Sequence, residues 1–166
     1  MEHVVDVDPG ANLREVLISL PNTKCEIRLR EGKYKIGEPG SFYLDVHNFT
    51  NPIHIVGYGR KEEIVIEGGV CFNFSEHVLK NVTLFNAHEH GVKALSSFTM
   101  KDVIVKQASG HGVYVTGHGV VGQCVDVEVL DCGESGVFAD EQSTIKLVEL
   151  EGVTVHNNCL DKHSLL

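Results

Sequence analysis

Two histidines precede a glycine in the same setting: His90 in HEHGV (88–92) and His111 in SGHGV (109–113), 21 residues apart. Glu89 stands beside the first. Lys93 and Tyr114 each follow their glycine by two residues, and Phe138 does the same in GESGVFAD (133–140). Brought together, Glu89, His90 and His111 could remove the proton next to a sugar carboxyl group. Lys93 would hold that carboxyl group, and Tyr114 or a histidine would serve the opposite face. That is the chemistry of a uronate lyase or epimerase. Without a reaction, Lys93, Tyr114 and Phe138 are ligand-binding candidates. Inverting hydrolysis asks for a pair of carboxyl groups flanking the bond, and no aspartate pair falls in these segments. His88, His90 and His111 lack the Asp or Cys that would complete a zinc set, and no acidic calcium cluster stands out. No metal and no cofactor are expected. The same residues have plainer uses: a histidine at a turn hydrogen-bonds backbone, and an outward Lys-Tyr-Phe rank can be ordinary half-exposed surface.

What must position these residues is a repeat. Residues 79–95, 100–116 and 124–140 align without gaps at offsets of 21 and 24. Val82, Val103 and Val127 share one column; Leu84, Val105 and Val129 share another. Gly91, Gly112 and Gly136 align, then Val92, Val113 and Val137, then Ala94, Val115 and Ala139. A fourth unit begins at Leu150, with Val153 and Val155 in the first two columns. Each unit holds two short stretches of alternating apolar and polar residues, which is strand periodicity with one face buried. Such a unit cannot bury its own apolar face. Stacking does so, each strand pairing with its counterpart one coil along at about 4.8 Å. The fold class expected is all-β: a right-handed parallel β-helix of about six coils. His90 and His111 then stack on adjacent coils, and Lys93, Tyr114 and Phe138 form one outward rank. Asn81, Asp102 and Asp126 form a second ladder that suits turns rather than catalysis.

Upstream, 25–36 and 51–69 each read strand, turn, strand, and 37–50 reads as a looser connection. The segment 8–21 reads as a helix, with Leu13, Val16, Leu17 and Leu20 at helical spacing between Pro9 and Pro21. It would cap the first coil. The chain is thus expected to be one domain, 1–166, with a capping helix at 8–21, coils over 24–159 and a tail at 160–166. That tail is too short to be an evident cap. The expected remedy is a second copy of the chain, joined end to end through the C-terminal coil.

IRLREGKYKI, PIHIVGYGRKEEIVIEG, HGVYVTGHG, SGVFAD and GVTVHNN together resemble the right-handed β-helix, or pectin-lyase-like, superfamily. They are most similar to the repeats of carbohydrate-binding proteins and sugar hydrolases, also seen in F-box and cytokinesis-linked proteins. The likeness covers roughly 24–159. It implies the fold, while the superfamily's lyases, hydrolases, epimerases and pure interaction scaffolds leave the activity open. SGHGV resembles the Gly-His-Gly segment of polygalacturonases, but the aspartates that accompany it there are absent, Glu89 and His90 standing in their place.

The charge of −9 argues against nucleic acid, since phosphate binding needs clustered Lys and Arg. No run approaches the ~18–20 apolar residues of a membrane span. The five cysteines are odd in number and lack CxxC spacing. With no signal-like opening, they point to reduced thiols and an intracellular location. The leading expectation is a non-catalytic interaction or carbohydrate-recognition module, with an oligosaccharide or a protein as partner. A small uronate lyase or epimerase and a scaffold assembled through the last coil are the alternatives.

Overall fold

In the computed structural model, which describes residues 2–46 and 49–158, the chain is a parallel β-solenoid of about six turns. Each full turn contributes three strands, one to each of three sheets that run the length of the molecule. The seven-stranded sheet A starts with His3–Val7 and Cys25–Arg30 and ends with Phe98–Lys101, Val121–Val125 and Thr144–Val148. The six-stranded sheet B runs from Gly32–Lys35 through Ile64–Glu67, Thr83–Phe85 and Ile104–Lys106 to Thr154–His156. The five-stranded sheet C comprises Tyr43–Val46, Gly69–Phe72, Val92–Ala94, Val113–Val115 and Val137–Ala139. Registers follow the sequence columns: Leu84 pairs with Val105 and Val105 with Val129, while Val92 pairs with Val113 and Val113 with Val137.

Inward side chains from all three sheets meet in one core, in which Ile27, Leu29, Ile55, Ile66, Phe72, Leu84, Val105 and Val129 are buried. The corners are turned by residues that tolerate the left-handed backbone region. Asn81, Asp102 and Asp126 (φ 55°, 53° and 50°) turn from sheet A to sheet B. Asn86, Gln107, Asp131 and Asn157 turn from sheet B towards sheet C. The polar ladder is therefore a corner device. Asn81 Nδ2 donates to the carbonyls of Gly57 and Gly59 one coil back (2.9 Å each). Asp126 Oδ1 accepts the N–H groups of Leu150, Glu151 and Gly152 one coil forward (2.8, 2.7 and 3.1 Å). Those three donors hold the Asp126 carboxyl below its ordinary pKa.

Three features differ from the sequence reading. The helix is shorter than 8–21, spanning Leu13–Ser19. Asn12 takes the N-cap, its side chain accepting from the Arg14 N–H (3.1 Å), while Gly10 turns with φ 87° and is tied to Lys33 O (2.7 Å). Leu20 is already extended. The helix does cover the first coil, with Leu13 and Leu17 buried in the core. Second, 37–50 is not only a connection, because Tyr43–Val46 is the first strand of sheet C and pairs with Gly69–Phe72. Third, His3–Val7 adds a strand alongside Cys25–Arg30.

At the other end, Val137–Ala139, Thr144–Val148 and Thr154–His156 are the last strands of their sheets, and no further strand covers them among the described residues. The expected tail, 160–166, lies outside the described residues, as does Cys159. Cys25, Cys71, Cys124 and Cys132 are free and buried, and burial pushes the Cys124 thiol up to about 12.

Candidate functional site

The six residues singled out from sequence lie on one corner and face of the solenoid, along sheet C. Pairing puts Asp45, Cys71, Lys93, Tyr114 and Phe138 in one outward rank. His90 and His111 sit just before the strands of the third and fourth coils. Their rings stack with centroids 5.1 Å apart and planes 14° apart. The stack continues: Phe138 lies 4.6 Å from His111 at 4°. Tyr114 packs obliquely on both imidazoles, at 4.9 and 5.7 Å.

Each imidazole is fixed by the coil that follows it. His90 Nδ1 accepts the N–H of His111 (3.0 Å), and His111 Nδ1 accepts the N–H of Ser135 (3.1 Å). A nitrogen accepting a backbone N–H cannot carry the ring proton, so each imidazole holds its proton on Nε2. The protonated edges meet carboxylates: His111 Nε2 lies 3.0 Å from Glu134 Oε2, and His90 Nε2 3.7 Å from Glu89 Oε1. Burial lowers the pKa of His90, with Glu89 opposing and His111 reinforcing the shift.

Carboxylates and phenols complete the face. Tyr43 donates its hydroxyl to Glu89 Oε2 (2.9 Å) and accepts the His90 N–H (3.3 Å). Lys93 Nζ sits 5.8 Å from the centre of the Tyr43 ring. Tyr114 donates to Asp140 Oδ2 (2.8 Å), and Thr116 donates to Glu141 Oε2 (3.2 Å). Asp140 Oδ1 is buried without a hydrogen-bond partner among the described residues. Tyr43, Glu134 and Asp140 were missed from sequence. Glu134 had a signal, since it shares the column of Glu89 two coils away. Tyr43 had none, because it reaches Glu89 across 46 residues.

A third histidine, His77, is wholly buried in sheet A, accepting the Ile53 N–H on Nδ1 (3.1 Å) and facing Asn73 O through Nε2 (2.9 Å). Burial depresses its pKa, and likewise that of His54. For these groups the unfolded chain, at 6.5, binds protons that the folded chain refuses. Stability is therefore complete above pH 6.5 and falls as pH drops below it. Urea midpoints measured from about pH 7.5 down to about pH 5 should decline, and His77→Gln should flatten the slope. A pH-independent midpoint would contradict the neutral, backbone-bonded imidazoles.

Among the described residues, one trio could approach a metal: Glu2, Glu26 and His54 bring ligand atoms within 4.8 Å of one another. Glu26 Oε1 already accepts from Arg28 (2.6 Å) and Tyr58 (3.0 Å), and Lys24 pairs with Glu2 (3.2 Å). Those charges are balanced by the protein itself. Comparison with protein-family models, with curated proteins and with solved structures gives no match.

Proposed function

We propose that the protein is a non-catalytic recognition module that binds an oligosaccharide along the outward rank of sheet C. One observation carries this reading: both imidazoles spend Nδ1 on the next coil's backbone and turn Nε2–H towards a carboxylate, Glu89 for His90 and Glu134 for His111. A ring in that state donates a hydrogen bond but has no free base with which to remove a proton. Tyr43 and Tyr114 likewise already donate to carboxylates. The face offers the Lys93 ammonium, carboxylates held in place by these donors, and aromatic carbon, ending in Phe138 at 40% exposure. Hydroxyl-rich sugar rings, which donate and accept at once and carry apolar C–H faces, match that set. The resemblance of the repeats to carbohydrate-binding members of the pectin-lyase-like superfamily supports the same reading.

Proton NMR of a panel of oligosaccharides, uronates included, mixed with the protein tests it. Ligand lines should broaden without new resonances over hours. Tyr114→Ala and Phe138→Ala should each weaken binding about three- to tenfold. New vinyl, reducing-end or epimer signals that vanish in Glu89→Ala would establish a lyase or epimerase and overturn the proposal. Silence across the panel, with a dimeric mass by ultracentrifugation, would replace it with assembly through the last coil.

A further inference from the structure

The residue ahead of the sheet C glycine leaves its N–H outside the strand ladder. On three successive coils a side chain from an earlier coil takes that N–H. The Tyr43 hydroxyl, reaching past the second coil, accepts from His90 (3.3 Å). His90 Nδ1 accepts from His111 (3.0 Å), and His111 Nδ1 accepts from Ser135 (3.1 Å). The carbonyls of the last two are held as well, His111 O by the Gly91 N–H and Ser135 O by the Gly112 N–H (3.0 Å each). The corners of the fourth and fifth coils are thus gripped twice, once by backbone and once by an imidazole.

These grips answer acid differently. Backbone N–H groups keep their protons, and burial holds the Tyr43 phenol well above its usual pKa, so it stays neutral. An imidazole takes up a proton. Each ring already carries one on Nε2, turned to a carboxylate, so a second can enter only at Nδ1. Nδ1 then becomes a donor facing another donor, and the N–H opposite must leave.

The surroundings accept the charge while denying the bond. Around His90 stand Tyr43 from the first coil, Glu89 and Lys93 from the third, His111 and Tyr114 from the fourth and Glu134 from the fifth. Burial opposes a charge there most, joined by His111 and Lys93, whereas Glu89 and Glu134 favour it. Around His111 stand His90, Tyr114, Phe138, Glu134 and Asp140. Glu134 lies 3.0 Å from its Nε2, and the parallel Phe138 ring offers its face to a cation. A charged ring therefore keeps its place in the stack, and what it expels is the backbone of the next coil.

We infer that His90 and His111 are an acid-operated latch: closed at neutral pH, and opened by protonation at Nδ1, which frees the His111 and Ser135 N–H groups and loosens the corners ahead of sheet C. The strand ladder itself, carried by bonds such as Val113 N–H to Gly136 O (2.9 Å), stays paired. Because the folded chain resists the proton on His90, that ring opens below pH 6.5. The latch holds whatever the face binds.

Amide hydrogen exchange, followed residue by residue by NMR from about pH 7.5 to about pH 5, tests it. Protection is taken relative to the unfolded chain at the same pH. The amides of His111 and Ser135 should lose about tenfold in protection across that window. The amides of His90, held by a phenol, and of Val113, held by the ladder, should keep theirs. His111→Asn sets an amide oxygen, which does not titrate, where Nδ1 stands. In that variant Ser135 should stay protected at both ends of the window, while the His111 position remains acid-labile through His90. Unchanged protection of His111 and Ser135 at the acid end would overturn the latch. So would an equal loss at all four amides, which is general unfolding. Should His111→Asn fail to fold, the four amides of the native chain decide alone.

Discussion

Replacing Phe72 with alanine is expected to destabilise the fold by about 3–5 kcal/mol. Phe72 ends the strand Gly69–Phe72 and is fully buried in the middle of the solenoid. Its ring stacks on His77 (5.6 Å, 26°) and leans on Phe98 (5.6 Å, 32°). Both neighbours belong to sheet A, so this cluster ties sheet C to sheet A across the core. Removing the ring leaves a cavity between side chains anchored in two sheets, which cannot move together to fill it. It also strips a packing partner from a buried imidazole. A domain's whole stability is about 5–15 kcal/mol, so the variant should sit near the edge of folding. Urea unfolding followed by circular dichroism gives the number. A loss under about 1 kcal/mol would mean that the core does not pack around this ring as described.

Gly112→Ala should cost about 3 kcal/mol, the upper part of the range for an overfilled interior. The backbone of Gly112 has ordinary torsions, so flexibility is not the reason for glycine here. The reason is space. A Cβ would stand 2.6 Å from the carbonyl oxygen of Gly136 and would also strike Val129 Cγ1. Gly91 meets Gly112 O in the same way at 2.7 Å. The coils come so close at this column that a methyl group would push one off the next. The displaced strand carries Tyr114, and His111 is the adjacent residue, so the saccharide binding proposed for this face should weaken together with stability. Gly152→Ala is the matched control, since nothing lies within 4 Å of its Cβ position, and it should change the melting temperature little. Equal effects at the two sites would refute the close approach.

The His-Gly-Val triplets were thus readable because each residue meets a constraint that recurs on successive coils. At Gly91 and Gly112 glycine clears the next coil's backbone, Val92 and Val113 enter the core, and His90 and His111 accept the next coil's N–H. Those constraints make the register of sheets B and C and the stacking of His90 on His111 legible in the sequence itself. Sheet A was harder to see beyond its strands Cys25–Arg30 and Ile53–Tyr58. Its inward positions are His77 and Leu79, then Phe98 and Met100, then Gly122 and Cys124. Their volumes compensate between coils instead of repeating: a Cβ on Gly122 would lie 2.6 Å from Phe98 Cε1, so the ring fills what glycine leaves open. Such complementarity hides the alternation that marks a strand. Tyr43–Val46 was hidden by its flanks, where Gly, Pro, Ser and Asn read as a connection, and by tyrosine in the column held elsewhere by glycine. Candidate residues on one column were legible as a group. Their partners Tyr43 and Asp140 were not, because each enters from another coil through a contact that no periodicity announces.

The helix Leu13–Ser19 makes the two ends of the solenoid mechanically unequal. Leu13 and Leu17 lock one end into the core, whereas at the other the last strands of all three sheets hold to a neighbour on one side only, among the described residues. Because every strand bonds only to the coils directly above and below, a pull along the axis loads the coil interfaces in series, and the uncovered end yields first. Tension would peel the coils in order from the strand Thr154–His156 towards the helix, much as a spring is drawn out from its free end. The face of Lys93, Tyr114 and Phe138, spread over the third to fifth coils, would lose Phe138 first and His90 last.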